Sequence, residues 1–205
     1  RMTLRVPFWP DSGVEDQSVP PLVATVNGET ARVVRVLGPQ TDLLLILVLD
    51  LAGDLNPVDT ARQALIEQLE QLPANVSCGL MRAQDGLKVL VDPGAERGKL
   101  TEELKGVTVS GRAGLLDAIE PVLHVCDSVG AKAAVRTAVL FISDSNIANY
   151  REDFTNPVVN SSDSRDMSRR FPEALIKERI QQISARIAGA QTPMFLVHLA
   201  YQSDR

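Results

Sequence analysis

Aspartates follow two apolar runs of this sequence, and carboxylates placed at strand ends could bind a cation. Residues 43–49 lead directly into Asp50, and Asp54 follows four residues later. A second apolar run, residues 137–142, leads into the polar triplet at 143–145. Carboxylate and hydroxyl oxygens are the ligands that Mg²⁺ and Ca²⁺ prefer. If both runs are strands of one parallel sheet, their polar ends meet at the edge where open α/β sheets bind ligands.

The run at 43–49 is typical of a strand that is buried on both faces. It is far shorter than the roughly 20 apolar residues that a membrane-spanning helix needs. It also lacks the alternation of polar and apolar residues found in a strand with one face in water. We therefore predict a central strand of a parallel sheet.

Composition narrows the classes of protein to which the chain can belong. It has 205 residues, a net charge of -5 and 44% hydrophobic residues, which fits a globular domain with a full core. Nucleic-acid binding is disfavoured because no cluster of Lys and Arg marks one face, and membrane insertion is not expected. Cys78 and Cys126 lie in apolar segments and are predicted to be core residues, with a disulfide left open if the protein is exported.

The chain divides into an N-terminal segment, residues 1–38, and an α/β domain, residues 39–205. Prolines in the first twenty residues predict an extended arm that cannot hold a helix. Asn27-Gly28 separates β-rich runs at 22–26 and 30–37, which is the strongest short-range signal of a β-hairpin. No leader with a charged start and an apolar centre opens this sequence.

Strands and helices are predicted to alternate through the α/β domain. The strands are predicted at 43–49, 76–82, 87–91, 137–142 and 194–201. The helices are predicted from Asn56-Pro57 to Pro73, at 99–105, from after Gly111 to Cys126, and from Pro172 to Gly189. Pro121 is predicted to kink or divide the third helix. The fourth helix is predicted to turn Ile176, Ile180, Ile183 and Ile187 inward. This order predicts a doubly wound, mostly parallel, Rossmann-like sheet with one antiparallel edge strand, 87–91.

Two buried strands that end in aspartate, with the helix start Leu115-Leu116-Asp117-Ala118 between them, resemble the von Willebrand factor A (VWA) domain. In that family the first strand ends in Asp-x-Ser-x-Ser, a Thr precedes a Leu-x-Asp-Ala helix, and a later strand ends in Thr-Asp-Gly. These loops hold a divalent ion, usually magnesium, that a partner's carboxylate completes. The resemblance covers about residues 43–201 and implies a non-enzymatic protein-interaction or adhesion-type module.

The family's motif matches this chain only in part. Asp50 and Asp144 match, and Ser143 stands where the family has Thr. The two serines of the family's first motif correspond to Ala52 and Asp54, and its Thr before the helix corresponds to Ala113. The resemblance therefore implies a degenerate metal-ion-dependent adhesion site, with Asp50, Asp54 and Asp144 as metal residues and either no cofactor or a weakly bound Mg or Ca ion.

A role without an ion is the alternative for these acids, and we favour it over a working metal site. Asp54 fits a turn before a helix, where Asp and Asn stabilise turns and caps. Asp50 and Asp144 could accept hydrogen bonds from loop amides.

The hairpin that leads into the first strand resembles a bacterial subgroup called VWFA-related, described from acidobacteria. Members are often exported, so the resemblance implies a periplasmic or extracellular setting and a protein partner. The rim predicted to bind it comprises residues 50–56, 110–114 and 143–170. It includes residue types favoured at interfaces, and its predicted contact residues are Ser110, Arg112, Ser143, Ser145, Tyr150, Arg151 and Phe154.

A second class of function is a small-ligand or anion-binding α/β domain, possibly hydrolytic, that uses the same edge. Its amide donors would come from Gly111-Arg112-Ala113-Gly114 at a helix start. Evidence for an enzyme is weak, because no Gly-x-Ser-x-Gly elbow, Gly-x-Gly-x-x-Gly turn or Walker loop occurs. His124 lies on an apolar helix, and His198 is predicted to lie within the last strand, away from the ligand-facing end.

Overall fold

A computed structural model describes residues 5, 6, 8, 22–52, 55–109, 111–146, 150 and 172–199 of the chain. In this part of the chain the predicted fold class is confirmed: a doubly wound α/β sheet, mostly parallel, with one antiparallel edge strand and a preceding hairpin. The strands are β1 Ala24–Val26, β2 Glu29–Ala31, β3 Leu43–Asp50, β4 Val76–Arg82, β5 Lys88–Val91, β6 Arg136–Ser143 and β7 Met194–His198. The helices are α1 Leu55–Glu70, α2 Arg97–Gly106, α3 Leu115–Lys132 and α4 Pro172–Ala188.

The five-stranded sheet has the order β5-β4-β3-β6-β7, with β3 in the centre. β3 runs parallel to β4 and β6, and β7 runs parallel to β6. β5 is antiparallel to β4, as the tight turn between them predicted. The parallel pairing places Asp50 opposite Ser143, so the polar ends of two neighbouring strands meet at one edge, as predicted. We call this the carboxyl edge of the sheet.

Apolar side chains fill both faces of the sheet. Ile46 and Val48 of β3 pack in the core on the α3 side, together with Cys126. Leu47 and Leu49 alternate with them and pack on the α1 and α2 side. This two-sided burial explains why residues 43–49 carry no polar positions.

The two cysteines are free and buried, so the prediction of core residues is confirmed. Cys78 belongs to the core on the α1 and α2 side, whereas Cys126 lies on the α3 side. Burial raises the pKa of the Cys126 thiol to about 11, which keeps it protonated and unreactive at neutral pH.

The N-terminal hairpin forms at Asn27-Gly28, where both residues have positive φ, 52° and 84°. Its second strand ends at Ala31, whereas the sequence predicted pairing as far as Leu37. β1 and β2 form a separate two-stranded sheet, so neither is a sixth strand of the main sheet. The main sheet therefore begins only at Leu43.

The sequence predicted that Pro121 would kink or divide its helix and that four isoleucines of α4 would face inward; the first prediction is narrowed and the second needs correction. α3 runs through Pro121 without being divided, because the ring lies on the exposed side, where water can bind the carbonyl group that loses its amide donor. On α4, Ile176 and Ile183 are buried as predicted, but Ile180 and Ile187 are 39% and 37% exposed.

No helix among the described residues is both long and apolar enough to span a membrane. Of the polar segment at 146–170, only residues 146 and 150 belong to the described part of the chain.

Candidate functional site

The Asp50 carboxylate forms the centre of the carboxyl edge. Its Oδ1 atom accepts a hydrogen bond of 2.7 Å from the Gly114 amide. Its Oδ2 atom accepts hydrogen bonds from the hydroxyls of Ser143, at 3.0 Å, and Ser145, at 2.6 Å. The side chain is fully buried, and three neutral donors compensate for its loss of water. Asp50 thereby connects three segments: the end of β3, the start of α3 and the end of β6.

Gly114 is the residue that lets α3 begin beside Asp50. It is the N-cap of α3, and a methyl group on its Cα would overlap the carbonyl oxygen of Ala83. The backbone of α3 therefore approaches the end of β4 as closely as only glycine permits. This contact directs the Gly114 amide at the Asp50 carboxylate.

Asp144 ties β6 back to the loop after β3. Its Oδ1 atom accepts a hydrogen bond of 2.8 Å from the Ala52 amide, and its own amide donates to the Asp50 carbonyl at 3.2 Å. Only 3% of the residue is exposed. The Asp144 carboxylate thus binds a backbone amide after β3, whereas the Asp50 carboxylate binds two serine hydroxyls at the end of β6.

Two of the predicted contact residues, Ser143 and Ser145, are buried rather than exposed. Both hydroxyls donate to Asp50, and Ser143 Oγ also accepts a hydrogen bond of 3.1 Å from the Ser145 amide. Their hydroxyls are therefore committed within the protein. They position the loop after β6.

The prediction for His198 was wrong. His198 is the last residue of β7 and pairs with Ser143, so it lies at the carboxyl edge. Its Nε2 atom lies 2.9 Å from the Ser145 carbonyl oxygen and must donate, because a carbonyl only accepts. Among the described residues, its buried Nδ1 atom has no hydrogen-bond partner. The sequence predicted a strand that continues to residue 201, which would have placed His198 in its middle rather than at its end.

Tyr150 is 8% exposed and packs with Ala113 and Ile176 beside the carboxyl edge. Its hydroxyl accepts a hydrogen bond of 3.2 Å from the Leu116 amide in the first turn of α3. Burial, and then the nearby charge of Asp50, raise the pKa of this phenol well above its usual value. Tyr150 is therefore a neutral residue that supports the start of α3.

The glycine-containing segment before α3 holds carboxylates of the protein itself. The Arg112 amide donates to Asp85 Oδ1 at 3.0 Å, and the Gly114 amide donates to Asp50. The predicted anion site thus has two of its amides already occupied. Half of the Arg112 side chain is exposed, as is 47% of the Asp85 side chain, so these two charged groups reach the surface.

Four predicted site residues lie outside the described residues: Asp54, Ser110, Arg151 and Phe154. Within the described part of the chain, no group of three His, Cys, Asp or Glu side chains is placed to hold a metal ion. Asp50 and Ser143 use their oxygens within the protein, and Ala52 and Ala113 offer none. Asp54 and Ser110 aside, the described side chains therefore supply too few uncommitted oxygens for the octahedral shell that Mg²⁺ requires.

Three features of the site were not found from the sequence. They are the contact of Gly114 with β4, the hydroxyl of Tyr150 on the α3 amide, and the fully buried Gln84, whose Nε2 atom donates to the Leu51 carbonyl at 2.8 Å. Glycine as an N-cap is a weak sequence signal for the first. The other two depend on chain segments that only folding brings together.

Comparison with known proteins gives distant likeness only. No family model and no curated protein matches the sequence. Solved structures that resemble it include the three N-terminal domains of the type V pili tip protein Mfa5 from Porphyromonas gingivalis, with 14% identity and a TM-score of 0.40. Proximal thread matrix protein 1 from the mussel byssus has 10% identity and a TM-score of 0.38. The vWF domain of Mfa5 has 13% identity and a TM-score of 0.38.

Each alignment covers 51% of this chain and only 20%, 29% and 38% of those structures, in the same order. The chain therefore corresponds to well under half the length of each of them. Likeness at this level assigns no family to the chain.

Replacing Asp50 should destabilise the fold strongly. We expect Asp50→Ala to lower the free energy of unfolding by about 2–4 kcal/mol, because it leaves buried donors of Gly114, Ser143 and Ser145 without an acceptor. Chemical denaturation measures the loss. Asp42→Asn changes an exposed carboxylate just before the same strand and should stay within about 0.5 kcal/mol of the wild type. Equal stability of both variants would contradict the role assigned to Asp50.

Two glycine substitutions should have opposite effects. Gly114→Ala should destabilise the protein by about 1–3 kcal/mol because its methyl group overlaps the Ala83 carbonyl. Gly98→Ala lies in α2 with open space around it and should stabilise the protein by about 0.5–1 kcal/mol. Denaturant midpoints of the two variants, measured in parallel, test the sign of each change. A neutral Gly114→Ala would disprove the close approach of α3 to β4.

Proposed function

We propose that the protein is a non-enzymatic, protein-binding module of the VWA type in which hydrogen bonds replace the metal ion. The observation that supports this most directly is the buried Asp50 carboxylate, which accepts from one amide and two hydroxyls. In the family that this chain resembles, the corresponding aspartate helps to hold the ion. Here its carboxylate is bound by protein donors from the start of α3 and the end of β6.

The division between buried and exposed residues supports a surface that contacts its partner directly. Asp50, Asp144, Ser143 and Ser145 are buried and hold the loops in place. Gly111, Arg112, Asp85 and Asn146 are exposed at the same edge. Recognition would then fall to the exposed group, with Arg112 supplying the most versatile contacts, since guanidinium groups are enriched at interface centres.

Catalysis by a serine is not favoured by this geometry. The hydroxyls of Ser143 and Ser145 donate to Asp50, whereas the His198 ring binds the Ser145 carbonyl. A serine nucleophile needs a histidine or another base that accepts its hydroxyl proton. The two serine hydroxyls instead donate to Asp50, whose carboxylate oxygens accept three hydrogen bonds in all.

The setting of the module is also part of the proposal. Its resemblance to VWFA-related domains favours an exported protein, with this chain as one piece of a larger assembly. The bacterial subgroup and the periplasmic or extracellular location rest on that resemblance.

Divalent cations should not stabilise the protein. A ligand that binds only the native state raises the melting temperature, so we expect identical thermal melts with Mg²⁺, Ca²⁺, Mn²⁺ or a chelator. Asp144→Asn should melt lower than the wild type by the same interval in all four conditions. A saturable rise with one cation that is lost in Asp50→Ala and Asp144→Asn would instead establish a retained ion site.

Partner capture tests the binding surface itself. We expect proteins recovered from an extract of the source cells to be retained by the wild type in chelator and lost with Arg112→Glu. Lys99→Glu is the matched control, because Lys99 is an exposed cation in the first turn of α2, at the amino end of the sheet. Equal recovery by all three proteins would place recognition elsewhere. Loss of recovery in chelator alone would show that an ion is needed.

A further inference from the structure

Arg5 of the N-terminal segment binds the C-terminal end of α3, at the amino end of the sheet. Its guanidinium group donates hydrogen bonds to the carbonyl oxygens of Gly130 and, at 3.0 Å, of Ala133. Its backbone amide donates to Gln191 Oε1 at 3.0 Å. Gly130 lies in the last turn of α3, Ala133 is its C-cap, and Gln191 lies in the loop between α4 and β7. One arginine thus joins the N-terminal segment to two loops that are 125 to 186 residues away in the chain.

Carbonyl groups at the end of a helix suit a guanidinium group. The last four carbonyls of an α-helix have no amide partner within it, and the helix dipole places partial negative charge at the same end. Arginine carries five N–H donors and no acceptor, so one side chain can bind two such carbonyls. Arg5 therefore supplies donors that α3 lacks at this end.

Two other helices are completed by arginines in the same way. Arg97 binds the Leu72 carbonyl just after α1, and Arg62 binds the Lys105 carbonyl at the end of α2. Both of those arginines belong to the α/β domain itself. The end of α3 instead receives Arg5, so the N-terminal segment provides a contact that the domain provides for its other two helices.

Gly130 leaves room for the Arg5 side chain. Glycine within a helix costs stability relative to alanine, so its presence in the last turn of α3 needs a reason. A methyl group on its Cα would overlap the Arg5 guanidinium group, and outside the helix the three atoms nearest to that position all belong to Arg5. By contrast, a methyl group on Gly98 in α2 would meet open space. The packing reason for glycine at position 130 is therefore the arginine.

The chain that leads into β3 is also held at the amino end of the sheet. Arg136, the first residue of β6, donates to the carbonyls of Pro39 and Thr41 at 2.7 Å. Asn75 Nδ2 donates to the same two carbonyls at 3.3 and 3.2 Å. The β1–β2 hairpin lies between these contacts and Arg5 in the sequence, and among the described residues none of its strand residues belongs to an apolar core cluster. In this part of the chain, polar contacts on both sides of the hairpin connect it to the domain.

We propose that Arg5 is a releasable clasp that fastens the N-terminal segment to the α/β domain. Its seat consists of the carbonyls of Gly130 and Ala133 and the side-chain oxygen of Gln191. These contacts are polar and exposed or only partly buried, so the clasp can open locally while the sheet remains folded. The seat lies at the opposite end of the sheet from the carboxyl edge and does not depend on the proposed binding function.

Trypsin measures the docking of Arg5 directly, because the protease must take an arginine side chain into its own pocket before it cuts the bond that follows. We expect the bonds after Arg32 and Arg35, both exposed, to be cut faster in the native protein than the bond after Arg5. Mass spectrometry of the first fragments identifies each bond and gives its rate.

Two substitutions should open the clasp. Gly130→Ala puts a methyl group in the place of the guanidinium group, and Gln191→Ala removes the acceptor of the Arg5 amide. Each should speed cleavage after Arg5 by about three- to tenfold, because cleavage follows the population of the open form. Gly98→Ala adds the same methyl group where space is open and should leave this rate unchanged. The rate after Arg32 should be the same in all variants.

Melting temperatures give a second measurement of the same contact. In the wild type, Gly130→Ala should lower the melting temperature because it expels the Arg5 side chain. In an Arg5→Ala background the same substitution should raise it by about 1–4 °C, because alanine is the better helix residue once the space is empty. Gly98→Ala should raise the melting temperature in both backgrounds.

Either of two results would overturn the proposal. One is a rate of cleavage after Arg5 that neither Gly130→Ala nor Gln191→Ala changes. The other is a Gly130→Ala substitution that shifts the melting temperature equally with and without the Arg5 side chain. Circular dichroism establishes that each variant is folded before its cleavage is compared with that of the wild type.

Discussion

The buried carboxylate of Asp50 is the interaction on which the carboxyl edge depends. An ionised group without water is costly unless hydrogen bonds compensate for it, and Asp50 recruits its three donors from residues 64, 93 and 95 positions away in the chain. Ser143 ends β6, whereas Gly114 and Ser145 belong to segments outside the strands that the carboxylate holds in one conformation. The hydrogen bonds that compensate for burying the carboxylate therefore also fix the conformation of the carboxyl edge.

The two ends of the sheet are organised by opposite charges. At the amino ends of the strands, arginines bind backbone carbonyls: Arg136 donates to the carbonyls of Pro39 and Thr41 at 2.7 Å, and Arg97 donates to Val76 at 3.1 Å. At the carboxyl ends, aspartates bind backbone amides of the loops at 52 and 114. A cation can serve only as donor and a carboxylate only as acceptor. Each loop thus receives the side chain that its unpaired backbone groups require.

Under the proposed function, this arrangement would let an edge that resembles that of the VWA family keep its acids while its hydroxyl ligands are replaced. Where an ion would draw several carboxylates and hydroxyls together, the described residues bring backbone amides and serine hydroxyls to the acids instead. Tyr150 adds a neutral phenol to the first turn of α3, and Gly114 removes the side chain that would block the approach. Under the proposed function, a preorganised edge that exposes Arg112 and Asp85 would reduce the ordering cost of binding a partner.

The sequence alone determined the elements whose causes are local. The apolar run of β3 predicted its burial on both faces, Asn27-Gly28 predicted the hairpin because both residues tolerate positive φ, and alternation of strands and helices predicted the sheet. Only the tertiary structure decided which groups the polar residues bind, because those partners are far apart in the chain. It placed His198 at the carboxyl edge through its pairing with Ser143, and left Ile180 and Ile187 exposed because α4 turns its arginines towards α3. Periodicity fixes which residues share a face of an element, whereas packing against neighbouring elements fixes where that face points.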